Sequence, residues 1–315
     1  MSRLLGHEAS QKRFADALMA ASLHHAWLLY GMKGIGKRSL AEHLAGLAMC
    51  ATESACGACH ACKMLEAGSH PDVFRLALIE GKRDLTVEQI RQVLNFLSLS
   101  GAEGGRRVVI LDDAERMNGQ AANALLKGLE EPSAGSLLLI VCSDLERLPA
   151  TVRSRCMLQQ CVPLHDADVT EVLKQLETPL EQRHLELALA LAKGSPGAVT
   201  CLQDVKIAEA LLGWQSLLSD MSNIDVGKVE SWIRQHVKTV PHHLIVQLLV
   251  DAVWPVLQES TEGEGEQAFV RRQGIEQALH GCMRWPADVV RHSLRAGPAL
   301  LACVLELRSA LKLVA

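Results

Sequence analysis

A short glycine-rich segment constrains the fold of this chain more than any other feature of its sequence. The segment Gly31–Lys37 reads Gly-Met-Lys-Gly-Ile-Gly-Lys. The apolar run before it, 26–30, predicts a buried strand, and the apolar spacing over 39–49 predicts a helix after it. Glycines at such a turn let backbone N–H groups face a phosphate at the helix N-terminus, and Lys37 can reach the outer phosphate oxygens. The sequence therefore predicts a phosphate-binding loop.

The residue after this lysine departs from the usual pattern. A serine or threonine normally follows, and its hydroxyl ligates magnesium, but this chain has Arg38. Ser39 lies one residue further on, rotated by about 100° around the helix, so its hydroxyl is poorly placed to ligate magnesium. The sequence leaves two interpretations of the loop open: a retained scaffold, or a site that binds nucleotide without efficient hydrolysis. Both disfavour ordinary ATPase activity.

A second apolar strand, 108–111, ends in two acidic residues. Asp112 is placed to hold magnesium through a water molecule. Asp113 stands where a longer glutamate normally polarises the attacking water, so its carboxylate falls short by one methylene group. Hydrolysis needs the base, the metal and the lysine together. Asp113 is therefore, after Arg38, a second departure from the residues that hydrolysis requires. The candidate nucleotide site, with the binding of ATP and Mg²⁺ left open, comprises Gly31, Gly34, Gly36, Lys37, Arg38, Ser39 and Asp112.

Buried strands alternate with helices through the first half of the chain. The segment 73–76, apolar except for Arg75, and the apolar run 137–142 predict strands, and the segments 86–97 and 121–130 predict helices. Strands that are apolar throughout and alternate with helices are typical of a parallel sheet covered on both faces. The sequence predicts an α/β P-loop NTPase domain over residues 1–165.

Strand signals stop at about Asp166, and helical patterns follow along the rest of the chain. We expect a small helical domain over 166–205 and a larger all-helical domain over 206–315. The polar, repetitive stretch 259–266 predicts a solvated loop within the larger one.

Four of the ten cysteines are clustered in the sequence. They are Cys50, Cys56, Cys59 and Cys62. Their two overlapping C-x2-C steps let a tight turn present four thiolates to a tetrahedral zinc ion. We predict a structural zinc knuckle over 50–62, with an iron–sulfur cluster and free thiols as the alternatives. His60 is surplus to the four sulfurs and is expected to be exposed.

The charge and hydrophobicity of the chain limit which partners and which cellular compartment we expect. The net charge of −4 gives no global attraction to nucleic acid, so any contact with DNA must be local or made through partners. No apolar run is long enough to span a membrane, and the N-terminus lacks the apolar core of a signal peptide. We therefore expect a cytoplasmic protein without a membrane partner, whose thiols stay reduced.

Several motifs together resemble the clamp-loader branch of the AAA+ ATPases. Besides the loop and the cysteine knuckle, they are the segments 25–29, 68–72, 121–132 and 148–156. The longest reads Ala-Ala-Asn-Ala-Leu-Leu-Lys-Gly-Leu-Glu-Glu-Pro. The resemblance covers about residues 1–205, and beyond that only helical character and length agree. It implies an AAA+ (RecA-like) domain over 1–165, a helical lid over 166–205 and an oligomerising collar over 206–315.

The tripeptide Ser154-Arg155-Cys156 resembles a Ser-Arg-Cys motif of this family. Taken without the family, Arg155 is more simply a surface arginine or part of a structural ion pair. The resemblance implies that it is an arginine finger, acting in trans on the ATP of a neighbouring subunit. Ser143 stands where related ATPases place a γ-phosphate sensor, and Gly197 stands where a second-sensor arginine is expected.

The resemblance implies a non-motor subunit of the DNA polymerase III clamp loader, a non-catalytic part of the holoenzyme without intrinsic ATPase activity. Such a subunit assists ATP-dependent loading of the sliding clamp onto primed DNA. Its partners would be gamma/tau-like and delta-like subunits, with the clamp and DNA reached through the complex. A gamma/tau-like motor subunit with its own ATPase activity is the main alternative. A zinc-dependent DNA-binding module is a weaker one, because the chain has no basic stripe.

Overall fold

The computed structural model describes residues 4–79, 81–99, 105–175, 180–259 and 266–312 of the 315-residue chain. The described residues form two compact units. One comprises the described part of Met1–Gln175 together with Ala192–Ala198, and the other the described part of Leu176–Leu191 and Val199–Ala315.

A parallel five-stranded sheet forms the centre of the first unit. Its strands are β1 (Ala26–Tyr30), β2 (Val73–Leu76), β3 (Arg107–Leu111), β4 (Ser136–Cys142) and β5 (Met157–Gln160). Their order across the sheet is β2-β3-β4-β1-β5. Because all strands run the same way, the loop after β1, Asp112 after β3 and Ser143 after β4 meet at one edge of the sheet. The predicted parallel sheet and its first four strands are confirmed.

Both faces of the sheet are covered, as the uniformly apolar strands predict. Trp27 and Leu29 of β1 pack with Phe14 on one face, whereas Leu28 packs with Leu125 on the other. All five side chains are buried. Burying each one stabilises the fold by about 1.5–3 kcal/mol relative to exposure, which fixes the strand that leads into the loop.

Helices follow each of the first four strands. In chain order, the helices up to residue 175 are α1 (Glu8–Met19), α2 (Lys37–Met49), α3 (His60–Glu66), α4 (Val87–Ser98), α5 (Gly119–Glu130), α6 (Ala150–Arg153) and α7 (Asp166–Lys174). The helices after that point are α8 (Gln182–Ala192), α9 (Val205–Leu218), α10 (Val226–His236), α11 (His242–Glu259), α12 (Glu266–Arg291) and α13 (Ala296–Lys312).

Three details differ from the sequence-based expectation. Helix α2 begins at Lys37 rather than at 39, because Gly36 already supplies the left-handed residue from which the helix starts. The edge strand β5 was not predicted, since its four residues alternate between half-buried and exposed and carry two glutamines. Helix α3 was missed because the cysteine spacing around it dominates its local pattern. The predicted loop over 259–266 lies mostly outside the described residues.

The second unit is helical throughout its described residues. Trp214 packs against Trp232, with ring centroids 4.5 Å apart and the ring planes tilted by 31°. Their indole N–H groups donate to the carbonyls of Ile245 and Ala210, so these tryptophans are buried without an unpaired donor. No helix in the described ranges is long and apolar enough to cross a membrane. The division of the chain at 165 and 205 into three domains stays a prediction.

Candidate functional site

The predicted phosphate loop joins β1 to α2 and depends on its glycines. Gly34 and Gly36 have φ angles of +86° and +91°, in the left-handed region that favours glycine. A Cβ on Gly34 would also lie 2.7 Å from the backbone nitrogen of Ala198 and 2.9 Å from the carbonyl carbon of Gly197. The loop therefore has no room for a side chain at Gly34.

Lys37 is buried, with 4% of its surface exposed, and its ammonium group makes three hydrogen bonds. It donates to the carbonyls of Gly31 at 2.8 Å and Met32 at 2.7 Å, and to the hydroxyl of Ser143 at 3.0 Å. Burial lowers the pKa of Lys37, and the neighbouring acidic groups partly oppose that shift. The lysine thus bridges the loop to the end of β4, and a phosphate would have to exchange with some of these acceptors.

Arg38 and Asp112 lie together at the position where magnesium is expected. The Nη1 atom of Arg38 is 3.6 Å from Oδ2 of Asp112, and Oδ1 of Asp112 accepts the backbone N–H of Asp113 at 2.9 Å. Burial raises the pKa of Asp112. Both carboxylate oxygens are engaged, and one of them faces a fixed positive charge. Ser39 is exposed and lines a cavity beside Arg38. These residues do not fit a magnesium ion.

Glu115 is a site residue that the sequence analysis missed. It lies in the single turn of 3-10 helix after β3, and its carboxylate accepts the backbone N–H of Ser143 at 3.0 Å. Its charge favours the protonated form of Lys37 and raises the pKa of Asp112. The signal that could have revealed it is an acid two residues beyond Asp113, in the run Asp-Asp-Ala-Glu.

The segment 195–198 of the first unit lies against the loop. The Ser195 hydroxyl donates to the carbonyl of Lys33 at 2.6 Å, and the backbone N–H of Gly197 donates to the carbonyl of Gly34 at 2.9 Å. A Cβ on Gly197 would sit 2.7 Å from that same carbonyl oxygen. This close approach excludes the arginine that a second sensor would place at Gly197.

His7 holds the loop from another direction and was also missed. Its Nε2 atom lies 2.7 Å from the carbonyl oxygen of Ile35, in a buried hydrogen bond. His7 itself has a left-handed backbone with φ of 58° just before α1. A lone histidine near the N-terminus carries no sequence signal for such a contact, so only the fold could show it.

Replacing Gly34 by alanine should destabilise the first unit more than the same change at a glycine with similar backbone and free space. Gly81 is that control, with φ of +80° and no atom within 4 Å of its added Cβ. We expect Gly81→Ala to cost about 1 kcal/mol from backbone strain alone, and Gly34→Ala to cost about 1–3 kcal/mol more from overpacking. Urea unfolding followed by circular dichroism measures both. Equal effects would mean that segment 195–198 does not press on the loop.

A cavity of about 590 Å³ lies beside the loop within the first unit. One part of its wall is apolar, formed by Leu4, Leu164, Val172 and Pro196, and the part nearest the loop carries Arg38 and Ser39. Its volume is in the range of small-molecule sites, which pair apolar walls with a few polar groups.

The four clustered cysteines converge as predicted. The sulfur atoms of Cys50, Cys56, Cys59 and Cys62 all lie within 4.8 Å of one another. Backbone N–H groups of the last three donate to the sulfur atoms of the cysteines before them, at 3.4–3.5 Å. Such bonds stabilise thiolates, the form that binds metal. Four converging sulfurs leave no open position, so the set fits a structural zinc ion. His60 is exposed and outside this set.

Arg155 lies just after α6, and its side chain is oriented by residues that do not belong to the phosphate loop. Its guanidinium pairs with Glu130 at 2.7 Å and donates to the carbonyl of Thr151 at 3.0 Å and the hydroxyl of Ser154 at 3.3 Å. The side chain keeps 38% of its surface exposed. Glu130 ends α5, so the sheet-packed helix positions the charge that orients Arg155.

Comparison with known proteins identifies what the chain resembles. Residues 6–165, just over half of the chain, match the protein family described as "DNA polymerase III, delta subunit". The Pseudomonas aeruginosa protein named DNA polymerase III subunit delta' is 46% identical over 177 residues, which are 55% of this chain and 53% of that protein. The protein of the same name from Escherichia coli K12 is 38% identical over 194 residues, 61% of this chain and 58% of that protein.

The chain thus matches little more than half the length of these curated relatives. Among solved structures, a DNA polymerase III gamma subunit-related protein from Thermotoga maritima aligns with a TM-score of 0.52 and 17% identity. The alignment covers 96% of this chain and 98% of that one. At this identity the similarity concerns the fold.

Proposed function

The chain belongs to the family described as "DNA polymerase III, delta subunit", and from this premise we propose that it is a delta-prime-like subunit of the clamp loader. In this role it assists the ATP-dependent loading of the sliding clamp onto primed DNA in the cytoplasm. Its partners are gamma/tau-like and delta-like subunits, joined through the collar at 206–315. The clamp and the DNA are reached through the complex.

One observation carries this proposal. The nucleotide side of the chain has lost its magnesium position to the ion pair between Arg38 and Asp112, while Arg155 is retained, oriented and partly exposed. A self-sufficient motor needs base, metal and lysine in its own site. A subunit that only supplies an arginine to its neighbour needs none of them.

The proposed zinc ion would be held by Cys50, Cys56, Cys59 and Cys62. When bound, it supplies structure rather than reaction chemistry, since four thiolates complete its coordination. The knuckle leads into α3, whose N-cap is Cys59. Zinc would therefore fix the connection between α2 and β2 in the first unit.

A hydrolysis assay on the isolated chain separates this proposal from the motor alternative. We expect no magnesium-dependent release of phosphate from ATP above the level of a Lys37→Met variant, which reports the background from contaminating ATPases. The reason is that neither Arg38 nor Asp113 can replace the missing hydroxyl and glutamate. Turnover that disappears in Lys37→Met would establish the motor alternative instead.

Glu130 is proposed as a positioning residue for Arg155. Replacing it by glutamine removes the charge but keeps the shape, and we expect the ATPase rate at the one site that Arg155 serves in the reconstituted complex to fall about threefold to fivefold, the scale of a partly exposed ion pair. The matched control is Glu146→Gln, because Glu146 pairs with the nearby Arg153 at 3.4 Å.

The assay should resolve kcat from KM. Orientation of the finger acts in the transition state, so the loss should appear in kcat. A purely structural role would lower the stability of the chain without moving kcat. An effect no larger than that of Glu146→Gln would remove Glu130 from the proposal.

A further inference from the structure

The magnesium position of this chain is filled by a side chain. In magnesium-dependent phosphate loops a hydroxyl after the lysine and an aspartate after the next strand hold the ion. Here the hydroxyl is replaced by Arg38, whose guanidinium lies 3.6 Å from the carboxylate of Asp112. The other oxygen of that carboxylate accepts the N–H of Asp113 at 2.9 Å. The hydroxyl ligand is therefore absent, and the remaining carboxylate faces a fixed positive charge instead of an ion.

The phosphate-binding half of the loop is nevertheless complete. Gly34 and Gly36 keep the left-handed backbone that turns N–H groups inward, and the ammonium group of Lys37 closes the turn. Desolvating the charge of Lys37 is unfavourable, and its hydrogen bonds to the loop and to Ser143 offset that cost and keep the ammonium group at the loop. Within Gly31–Ser39 the departure from the usual pattern is Arg38, at the metal position.

The positive charge of Arg38 can offset the negative charge of a bound polyphosphate. A polyphosphate normally carries a divalent cation that offsets part of its negative charge. Lys37 and Arg38 place two side-chain cations at the N-terminus of α2, a helix of 13 residues, where the helix dipole also favours anions. Arg38 keeps 55% of its side chain exposed and lines the cavity of about 590 Å³ beside the loop. It can therefore turn from Asp112 toward a phosphate without unfolding the loop.

The same cavity indicates the class of ligand. Its apolar wall is formed by Leu4, Leu164, Val172 and Pro196, which suits the flat face of a base better than a free phosphate. Its polar wall also carries Glu66 and Glu42, the latter paired with Arg75 at 2.8 Å. We propose that the loop binds a nucleoside polyphosphate without a divalent cation, with the Arg38 guanidinium in the place of the metal. This inference concerns the isolated chain and does not depend on the proposed role in clamp loading.

Isothermal titration of the full chain with ATP, once in excess Mg²⁺ and once in EDTA, tests the proposal. We expect tighter binding in EDTA than in excess Mg²⁺, because ATP must give up its Mg²⁺ before the Arg38 guanidinium can take the place of the ion. Arg38→Ser, which restores a hydroxyl at the metal position, should weaken binding in EDTA by about tenfold or more, the value of a charged hydrogen bond. Mg²⁺ should then restore part of its affinity. Arg91→Ser is the matched control, since Arg91 is an exposed arginine on α4, and it should behave like the parent chain.

Each other result overturns the proposal. Binding by the parent chain that needs Mg²⁺ would show that the ion displaces Arg38. Absence of binding in both buffers would make the loop a scaffold only. Binding by Arg38→Ser that matches the parent chain in EDTA would show that the guanidinium does not contact the phosphates. Inorganic phosphate, titrated in parallel, should bind more weakly than ATP if the apolar wall holds the base.

Discussion

Replacing Cys62 by serine should abolish tight zinc binding and lower the thermal stability of the chain more than any other single substitution discussed above. Cys62 is fully buried at the start of α3, and its sulfur is one of four that converge within 4.8 Å. A structural zinc site contributes roughly 10–16 kcal/mol of binding free energy in isolated zinc-finger peptides at neutral pH. Losing one of four thiolates removes most of that contribution.

The measurement is zinc content by atomic emission, together with thermal unfolding in the presence and absence of a chelator. We expect about one zinc ion per parent chain, as four thiolates predict, and a fall in its unfolding temperature on chelation. Cys201→Ser is the control, because Cys201 is a half-buried thiol outside the cluster. A parent chain that contains iron would favour the cluster alternative. A parent chain that contains no metal, and whose unfolding temperature does not change on chelation, would favour the alternative of free thiols.

The elements that could be predicted from the sequence are those with a strong local cause. Strand β1 and residues 137–142 of β4 are apolar because both faces of the sheet are covered, and such runs are visible without any structure. Thr86 was recognisable as a helix start, and it makes a capping box with Gln89. The cysteine spacing likewise predicted the cluster, because metal ligands must meet in space however the rest folds.

The parts that could not be predicted depend on contacts between distant segments. Nothing local to His7 or Ser195 shows that both will bond the carbonyls of the phosphate loop, 28 and 162 residues away. Glu115 became a site residue because the order of strands puts the end of β3 beside the end of β4. The pairing of Glu130 with Arg155 also joins two motifs that the sequence presents separately.

Replacing Arg155 by alanine should cause the largest functional loss in the reconstituted clamp loader. An arginine finger stabilises the charge that spreads over the transferring phosphoryl group, and its removal costs ~10³–10⁵ in rate at the site it serves. The loss should be confined to the ATP bound by the neighbouring subunit. Since other ATP sites in the complex keep their own fingers, total turnover should fall by the share of that one site.

Single-turnover ATP hydrolysis by the complete complex, with primed DNA and clamp, tests whether Arg155 acts on the ATP of a neighbouring subunit. Three versions of this chain are compared: the parent, Arg155→Ala, and Arg153→Ala as the control that removes the adjacent arginine and its pairing with Glu146. Native mass spectrometry confirms that all three assemble equally. We expect one kinetic phase to disappear with Arg155→Ala and to persist with Arg153→Ala. Identical hydrolysis by all three complexes would contradict this expectation and leave Arg155 as a structural partner of Glu130.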